Sequence, residues 1–257
     1  MSMNKQVICK NLLISYIQSG DNNAAKTLLF LHGWRSEAGV WRGSIKQLNN
    51  LTNKQLQVAA LDFPGFGQSQ TPTQAMAVGD YAEVVAEFIK KLDLKNVIIV
   101  GHSFGGRVGI KLAAKHPELI SKLVLVGSAG FPMNANRKSL MATGAKIVKP
   151  FFKPKFMQGL RKRIYQQIGA EDYVATPELQ KTFVNITCED LSEGMKKINC
   201  PTLIINGEDD KDTPVEFGQR MNSLIHNSKF TILPNAGHFS FLDRPEEFAG
   251  LISDFIK

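Results

Sequence analysis

A serine framed by glycines, Gly101-His102-Ser103-Phe104-Gly105, follows the apolar run Val97 to Val100 and opens a helical pattern through Val108, Leu112 and Ala113. Where a strand turns sharply into a helix, glycines relieve the crowding of the backbone, and the serine oxygen is pushed out at the sheet edge. A serine hydroxyl is a weak nucleophile at neutral pH. It needs a base, and the base needs a third group that fixes its tautomer and supports the imidazolium. The chain has five histidines. His32 and His102 lie inside glycine motifs, His116 precedes Pro117 and His226 sits in a polar turn, so all four read as structural or solvated. His238 differs. It follows the apolar run Phe230 to Leu233 in Pro234-Asn235-Ala236-Gly237-His238 and is expected on a loop at the same sheet edge as Ser103.

In a sheet of this kind the acid belongs at a strand end between serine and histidine, the chain order being Ser, acid, His. The run Leu203 to Ile205 leads into a loop with Asp209, Asp210 and Asp212, and spacing alone does not choose among them. No acid follows the preceding strand in Gly127-Ser128-Ala129-Gly130, which removes the other location. A tetrahedral oxyanion also requires amide donors aimed at it. The Phe104 N–H, just after the serine, is one candidate; the Trp34 N–H, in His32-Gly33-Trp34 after the run Leu28 to Leu31, is the other.

The elements that must position these groups show in the apolar pattern. Leu28 to Leu31, Val58 to Leu61, Val97 to Val100, Leu123 to Val126, Leu203 to Ile205 and Phe230 to Leu233 lack polar alternation, as strands buried on both faces do. Helical spacing lies between them: Tyr81, Val84, Val85, Phe88, Ile89 and Leu92 share one face, with Asp80 and Glu83 expected to form a capping box, and Phe248 to Ile256 repeats the pattern. The spacing predicts an α/β fold with a mostly parallel sheet of about eight strands flanked by helices. Val7 to Cys9 and Leu12 to Ile17, joined by a short turn, are expected to pair antiparallel at an edge. Between Val126 and Thr202 the chain is too long for a structureless loop. This insertion after the sixth strand reads as a helical cap over residues 131–196, with residues 1–130 and 197–257 as the core. Phe156, Leu160, Ile164 and Ile168, with Arg161 to Arg163 between them, predict one basic amphipathic helix in it.

The 257 residues suffice for one large core without disulfides or metals. The three cysteines, Cys9, Cys188 and Cys200, are far apart and lack metal-ligand spacing, so reduced thiols, no metal and a cytoplasmic location are expected. The amino end has no signal-like apolar stretch, and no window approaches a membrane span. Of the net charge of +8, much sits between Phe131 and Asn185, where ten Lys or Arg face three acids. A solvated basic face explains that charge best, with attraction of anionic substrates or a lipid surface as the alternative. No nucleic-acid recognition motif accompanies it. Phe131, Met133, Met141, Phe151, Phe156 and Phe183 are among the cap residues expected either to line an apolar pocket or to fasten the cap.

Taken together, His32-Gly33-Trp34, Asp62-x-Pro64-Gly65-x-Gly67-x-Ser69, Gly101-x-Ser103-x-Gly105-Gly106, Gly207-x-x-Asp210-x-x-x-Pro214 and Gly237-His238 resemble, in content and order, the α/β-hydrolase fold superfamily over nearly the whole chain. The resemblance implies that Asp210, three residues after the glycine and four before the proline, is the acid, and that the Asp62 segment is a structural turn. It also implies a helical cap after the sixth strand. Serine at position 103 argues against the branch that uses an aspartate nucleophile on carbon-halogen bonds or epoxides. The reaction expected is cofactor-free hydrolysis of a small-molecule ester or related acyl bond through an acyl-enzyme on Ser103. Carbon-carbon bond hydrolysis, acyl transfer and aminopeptidase activity are alternatives on the same fold, and a ligand receptor built on a hydrolase scaffold is an alternative of another class.

Overall fold

The computed structural model describes residues 4–21, 24–52, 56–132 and 175–257. Eight strands form one sheet: β1 (Lys5–Cys9), β2 (Leu12–Gly20), β3 (Thr27–Leu31), β4 (Gln57–Leu61), β5 (Val97–His102), β6 (Ile120–Val126), β7 (Thr202–Gly207) and β8 (Ser228–Leu233), in the order β1-β2-β4-β3-β5-β6-β7-β8. From β4 to β8 every neighbouring pair is parallel, while β2 runs antiparallel to both β1 and β4. The edge hairpin closes through Lys10 and Asn11, both at positive φ, as a two-residue turn matched to strand twist requires.

The uninterrupted apolar runs are explained by a core on each face. Leu29 and Leu31 of β3, Ile99 of β5 and Leu123 and Leu125 of β6 face one cluster, together with Tyr81 and Val85 of α2 (Val78–Lys91) and Val108 of α3 (Phe104–Lys115). Their strand neighbours Leu28, Phe30, Ile98, Val100, Val124 and Val126 face the other. There they meet Ile45 and Leu48 of α1 (Arg42–Leu51) and carboxyl-terminal residues such as Phe248 and Ile252. Side chains alternate faces with period two, so a strand covered on both sides must be apolar at every position.

One expected cap of a helix is corrected. Asp80 does not begin α2; it sits in the first turn, where its carboxylate accepts the Ala77 amide at 2.7 Å. Glu83 instead binds Lys115 and His116 at the end of α3, because it faces the neighbouring helix rather than the exposed helix end.

The basic helix expected around Phe156 to Ile168 lies outside the described residues. Among the described residues between β6 and β7, α4 (Gln180–Cys188) and α5 (Ser192–Met195) are helical. Phe183 packs its ring 5.2 Å from Trp34, and the Thr182 hydroxyl accepts the Met76 amide. Phe131, buried, meets Phe217 edge to face and lies under Arg220, so Phe183 and Phe131 both fasten the segment between β6 and β7 to the rest of the chain. Arg107 of α3 joins its two stems. Its buried guanidinium donates to the carbonyls of Ala129, Phe131 and Glu189, and burial pulls its pKa down to about 10. Helices α6 (Val215–Leu224), α7 (Ser240–Asp243) and α8 (Pro245–Ile256) complete the chain. Among the described residues no helix is long and apolar enough to cross a membrane.

Close packing of α3 on the sheet rests on glycine. A carbon added at Gly105 would stand 2.2 Å from the Leu31 carbonyl oxygen, whereas one at Gly250 of α8 meets nothing within 4 Å. Gly105→Ala is therefore expected to cost at least about 2 kcal/mol through backbone displacement. Gly250→Ala is expected to gain up to about 1 kcal/mol of helix propensity. Urea denaturation of the two variants checks both signs.

Candidate active site

The chain leaves β3 to build β4 on one side and then crosses back to place β5 on the other. The strand order thus reverses between β3 and β5, and a crevice opens beyond their carboxyl ends. Trp34 and Ser103 stand on the two loops that flank it. Ser103 has φ 51° and ψ −109°, a left-handed conformation that a non-glycine residue adopts only where its surroundings enforce it. The enforcement is visible: the Ser103 amide still donates to Val126 on β6, while its carbonyl accepts the Gly106 and Arg107 amides of the helix it begins. Phe104 is the first residue of α3, so its amide has no acceptor one turn back in the helix.

Asp210 and His238 come from the loops after β7 and β8. The Asp210 side chain has no exposed surface. Its Oδ1 accepts the amides of Asp212 and Thr213, each at 2.9 Å, and its Oδ2 accepts the Thr213 hydroxyl at 2.6 Å and His238 Nδ1–H at 2.9 Å. Burial pushes this carboxyl up, but the His238 and Thr213 hydrogen bonds outweigh it and leave its pKa below the ordinary value. Asp209 and Asp212 are exposed. Burial and contact with the imidazole thus fall to the one aspartate of the three that the family resemblance selects.

Of the hydrogen-bonded line expected from the sequence, the Asp210–His238 link is formed. Among the described residues no hydrogen bond joins the Ser103 hydroxyl to His238, although the preceding residue, His102, has its ring centroid 4.7 Å from that of His238. Bonds of this type are often long in a free protein and tighten when substrate arrives.

Two other histidines are fixed as neutral rings. His102 Nε2 donates to the His238 carbonyl at 2.9 Å, which requires the proton on Nε2 and leaves the buried Nδ1 without a partner among the described residues. Burial, followed by the proximity of His238, lowers its pKa to about 3. His32 Nδ1 donates to Gly33 at 2.7 Å, and its Nε2 accepts the Phe63 amide at 2.9 Å. Burial lowers its pKa to about 4. Both rings therefore shape the loops that carry Trp34 and His238. Asp62 does similar work: its two oxygens accept the amides of Ala38 and Gln68, and Gly67, at φ +54°, leaves room for the carboxylate.

The sequence reading passed over Thr213 and Asn206. Asn206, fully buried at the end of β7, donates to the Thr213 carbonyl; the only sequence signal was a hydroxyl beside the proline that ends the acid loop. Asp210, Asp212 and His238 bring potential ligand atoms within 4.8 Å of one another. A cation there would have to displace the two hydrogens already directed at Asp210 Oδ2, so the donor set suits a carboxylate and imidazole pair better. A cavity of about 630 Å³ opens between Arg35, Ser36, Glu37 and the Gly65 to Gly67 turn, beside the Trp34 loop.

Because His32 and His102 are neutral when folded and protonated when unfolded below about pH 6.5, the unfolded chain binds more protons from there down to about pH 4. The stability that they contribute is full above pH 6.5 and is lost as pH falls toward 4. Urea titrations at pH 7, 6 and 5 are expected to show unfolding free energy falling with a slope that approaches about 2.7 kcal/mol per pH unit near pH 5, the value for two protons. A flat profile over that interval would contradict two buried neutral rings.

Residues 28–251 match the model of the alpha/beta hydrolase family. An uncharacterized hydrolase of Bacillus subtilis, YugF, is 28% identical, the alignment covering 94% of this chain and 94% of the relative. A 2-hydroxy-6-oxo-6-(2'-aminophenyl)hexa-2,4-dienoic acid hydrolase of Metapseudomonas resinovorans is 27% identical over 94% of this chain and 87% of its own. Among solved structures, a bacterial membrane phospholipase A superposes with a TM-score of 0.78 at 26% identity, covering 99% of this chain and 86% of that one.

Proposed function

Because the chain belongs to the alpha/beta hydrolase family, we propose that it cleaves a carboxylic ester or similar acyl bond of a small molecule through an acyl-enzyme on Ser103, with no cofactor. Ser103 Oγ attacks the acyl carbon while His238 Nε2 takes its proton. The Trp34 and Phe104 amides donate to the oxyanion. His238, now charged, is stabilised by Asp210 and returns the proton to the leaving group; water then repeats the steps and frees the acid. Residues 1–130 and 197–257 form the catalytic core in this reading, and residues 131–196 cap it. The observation that carries the proposal is the hydrogen bond from His238 Nδ1 to Oδ2 of the buried Asp210 side chain. It fixes the proton on Nδ1 and leaves Nε2 unprotonated, the form a base requires.

A second reading is hydrolysis of a carbon-carbon bond beside a carbonyl. It is favoured by the relative from Metapseudomonas resinovorans, whose name describes a dienoic acid with an oxo group. The same base and oxyanion donors serve both reactions, and the substrate's leaving group, carbon or oxygen, separates them.

The test is turnover of p-nitrophenyl acetate and butyrate, with labelling by a fluorophosphonate probe. Ser103→Ala is expected to abolish labelling and to lower kcat by at least about a thousandfold. A loss below about tenfold removes Ser103 as nucleophile. Asp210→Asn is expected to lower kcat by a comparable factor because it alters the imidazole tautomer, whereas Asp209→Asn and Asp212→Asn stay within about threefold of wild type. Turnover of a vinylogous diketo acid exceeding that of every ester tried would favour the second reading.

A further inference from the structure

Thr213 meets the Asp210–His238 pair at a point the reaction above leaves unused. Its hydroxyl donates to Asp210 Oδ2 at 2.6 Å, the same oxygen that accepts His238 Nδ1–H at 2.9 Å, and it stands 3.3 Å from Nδ1 itself. The three polar atoms form a closed triangle around one carboxylate oxygen. Three constraints fix the hydroxyl in place. The Thr213 amide donates to Asp210 Oδ1, the carbonyl accepts the Asn206 side-chain amide at 2.9 Å, and Pro214 restricts the backbone of Thr213 before it. Asn206 is itself seated by the lack of a side chain at Gly218, where an added carbon would lie 2.4 Å from Asn206 Oδ1. Thr213 is buried, so water does not compete for the same oxygen.

We propose that Thr213 is a fourth member of the site, a positioning residue whose hydroxyl fixes the Asp210 oxygen facing His238 and takes up part of its negative charge. The proposal rests on the reading of His238 as the base. A carboxylate oxygen with two donors shares its charge between them, so the hydrogen bond from Thr213 limits how strongly Asp210 stabilises a charged imidazole. Too basic an imidazole would be protonated at the working pH, and one without a fixed partner would rotate away from the serine. The hydroxyl guards against both. Among the described residues, the other titratable groups near His238 are His102 at the end of β5, Asp212 on the acid loop, and Asp243, which accepts the Gly237 amide one residue away. None of them bonds to the Thr213 side chain, so a change confined to Thr213 reads the triangle alone.

Thr213→Val keeps the shape and the backbone bonds and removes only the donor; Thr213→Ala is the fallback if valine does not fold, and Thr213→Ser restores the hydroxyl. The His238 pKa is measured directly by NMR of its ring nitrogens, which needs no substrate. Removal of the hydroxyl is expected to raise it by roughly half to one unit, with serine returning it to the wild-type value. The acid limb of kcat/KM should move by the same amount, and kcat should fall about tenfold with little change in KM. An unchanged His238 pKa in folded valine or alanine variants overturns the proposal, as does a serine variant that behaves like valine. If wild type turns over no acyl substrate and takes no fluorophosphonate label, the hydrolase reading fails; the NMR titration still decides whether Thr213 controls the imidazole.

Discussion

A carboxylate without exposed surface sits at the centre of this site, and the loops around it are arranged to supply its hydrogen bonds. Removing such a group from water costs several kcal/mol unless donors replace the lost hydration. Asp210 receives four: two amides and a hydroxyl from its own loop, and the imidazole from the loop after β8. Three of the four are available wherever the loop folds. The fourth requires β7 and β8 to be paired in register, so the tie between the two loops forms only when the sheet does. The end of β6 must make way for it. Gly127, at φ +48°, leaves open a space where a side-chain carbon would come within 3.2 Å of Asp210 Oδ2 and 3.4 Å of His238 Nδ1.

Strand direction explains why this pair and Ser103 lie at one edge of the sheet. Parallel strands deliver their carboxyl ends to one edge, and reversal of the strand order at β3 and β5 opens that edge between the loops of Trp34 and Ser103. The loops that carry Ser103, Asp210 and His238 follow β5, β7 and β8, which lie within four adjacent strands. The packing that holds α3 close to the sheet is tight enough to exclude even a methyl group at Gly105, which keeps the serine turn in its left-handed conformation.

Around these groups lies a ring of polar side chains that take no charge. His32 and His102 are held as single tautomers by carbonyl and amide partners, and burial keeps both neutral across the range in which a histidine base works. Protonation of either would place a cation beside His238 or the Trp34 loop. Their low proton affinity thus protects the electrostatics of the site, at the expense of stability in acid.

The sequence by itself determined the strand runs, their parallel arrangement, the antiparallel edge and the motif order, because a doubly covered sheet forces every strand residue to be apolar and a sharp strand-to-helix turn forces glycines beside Ser103. It also limited the acid to one loop, and the family resemblance narrowed that loop to Asp210. Tertiary structure decided what local pattern cannot encode. The burial of Asp210 and the exposure of Asp209 and Asp212 depend on Gly127, Thr213 and His238, which come from three different loops. The capping expectation at Asp80 and Glu83 failed for the same reason: Glu83 was read within its own helix, but its partners, Lys115 and His116, arrive from the end of α3. Thr213 and Asn206 looked like ordinary loop and strand residues, since a hydroxyl or an amide gains a role only from the atom that folding places opposite it.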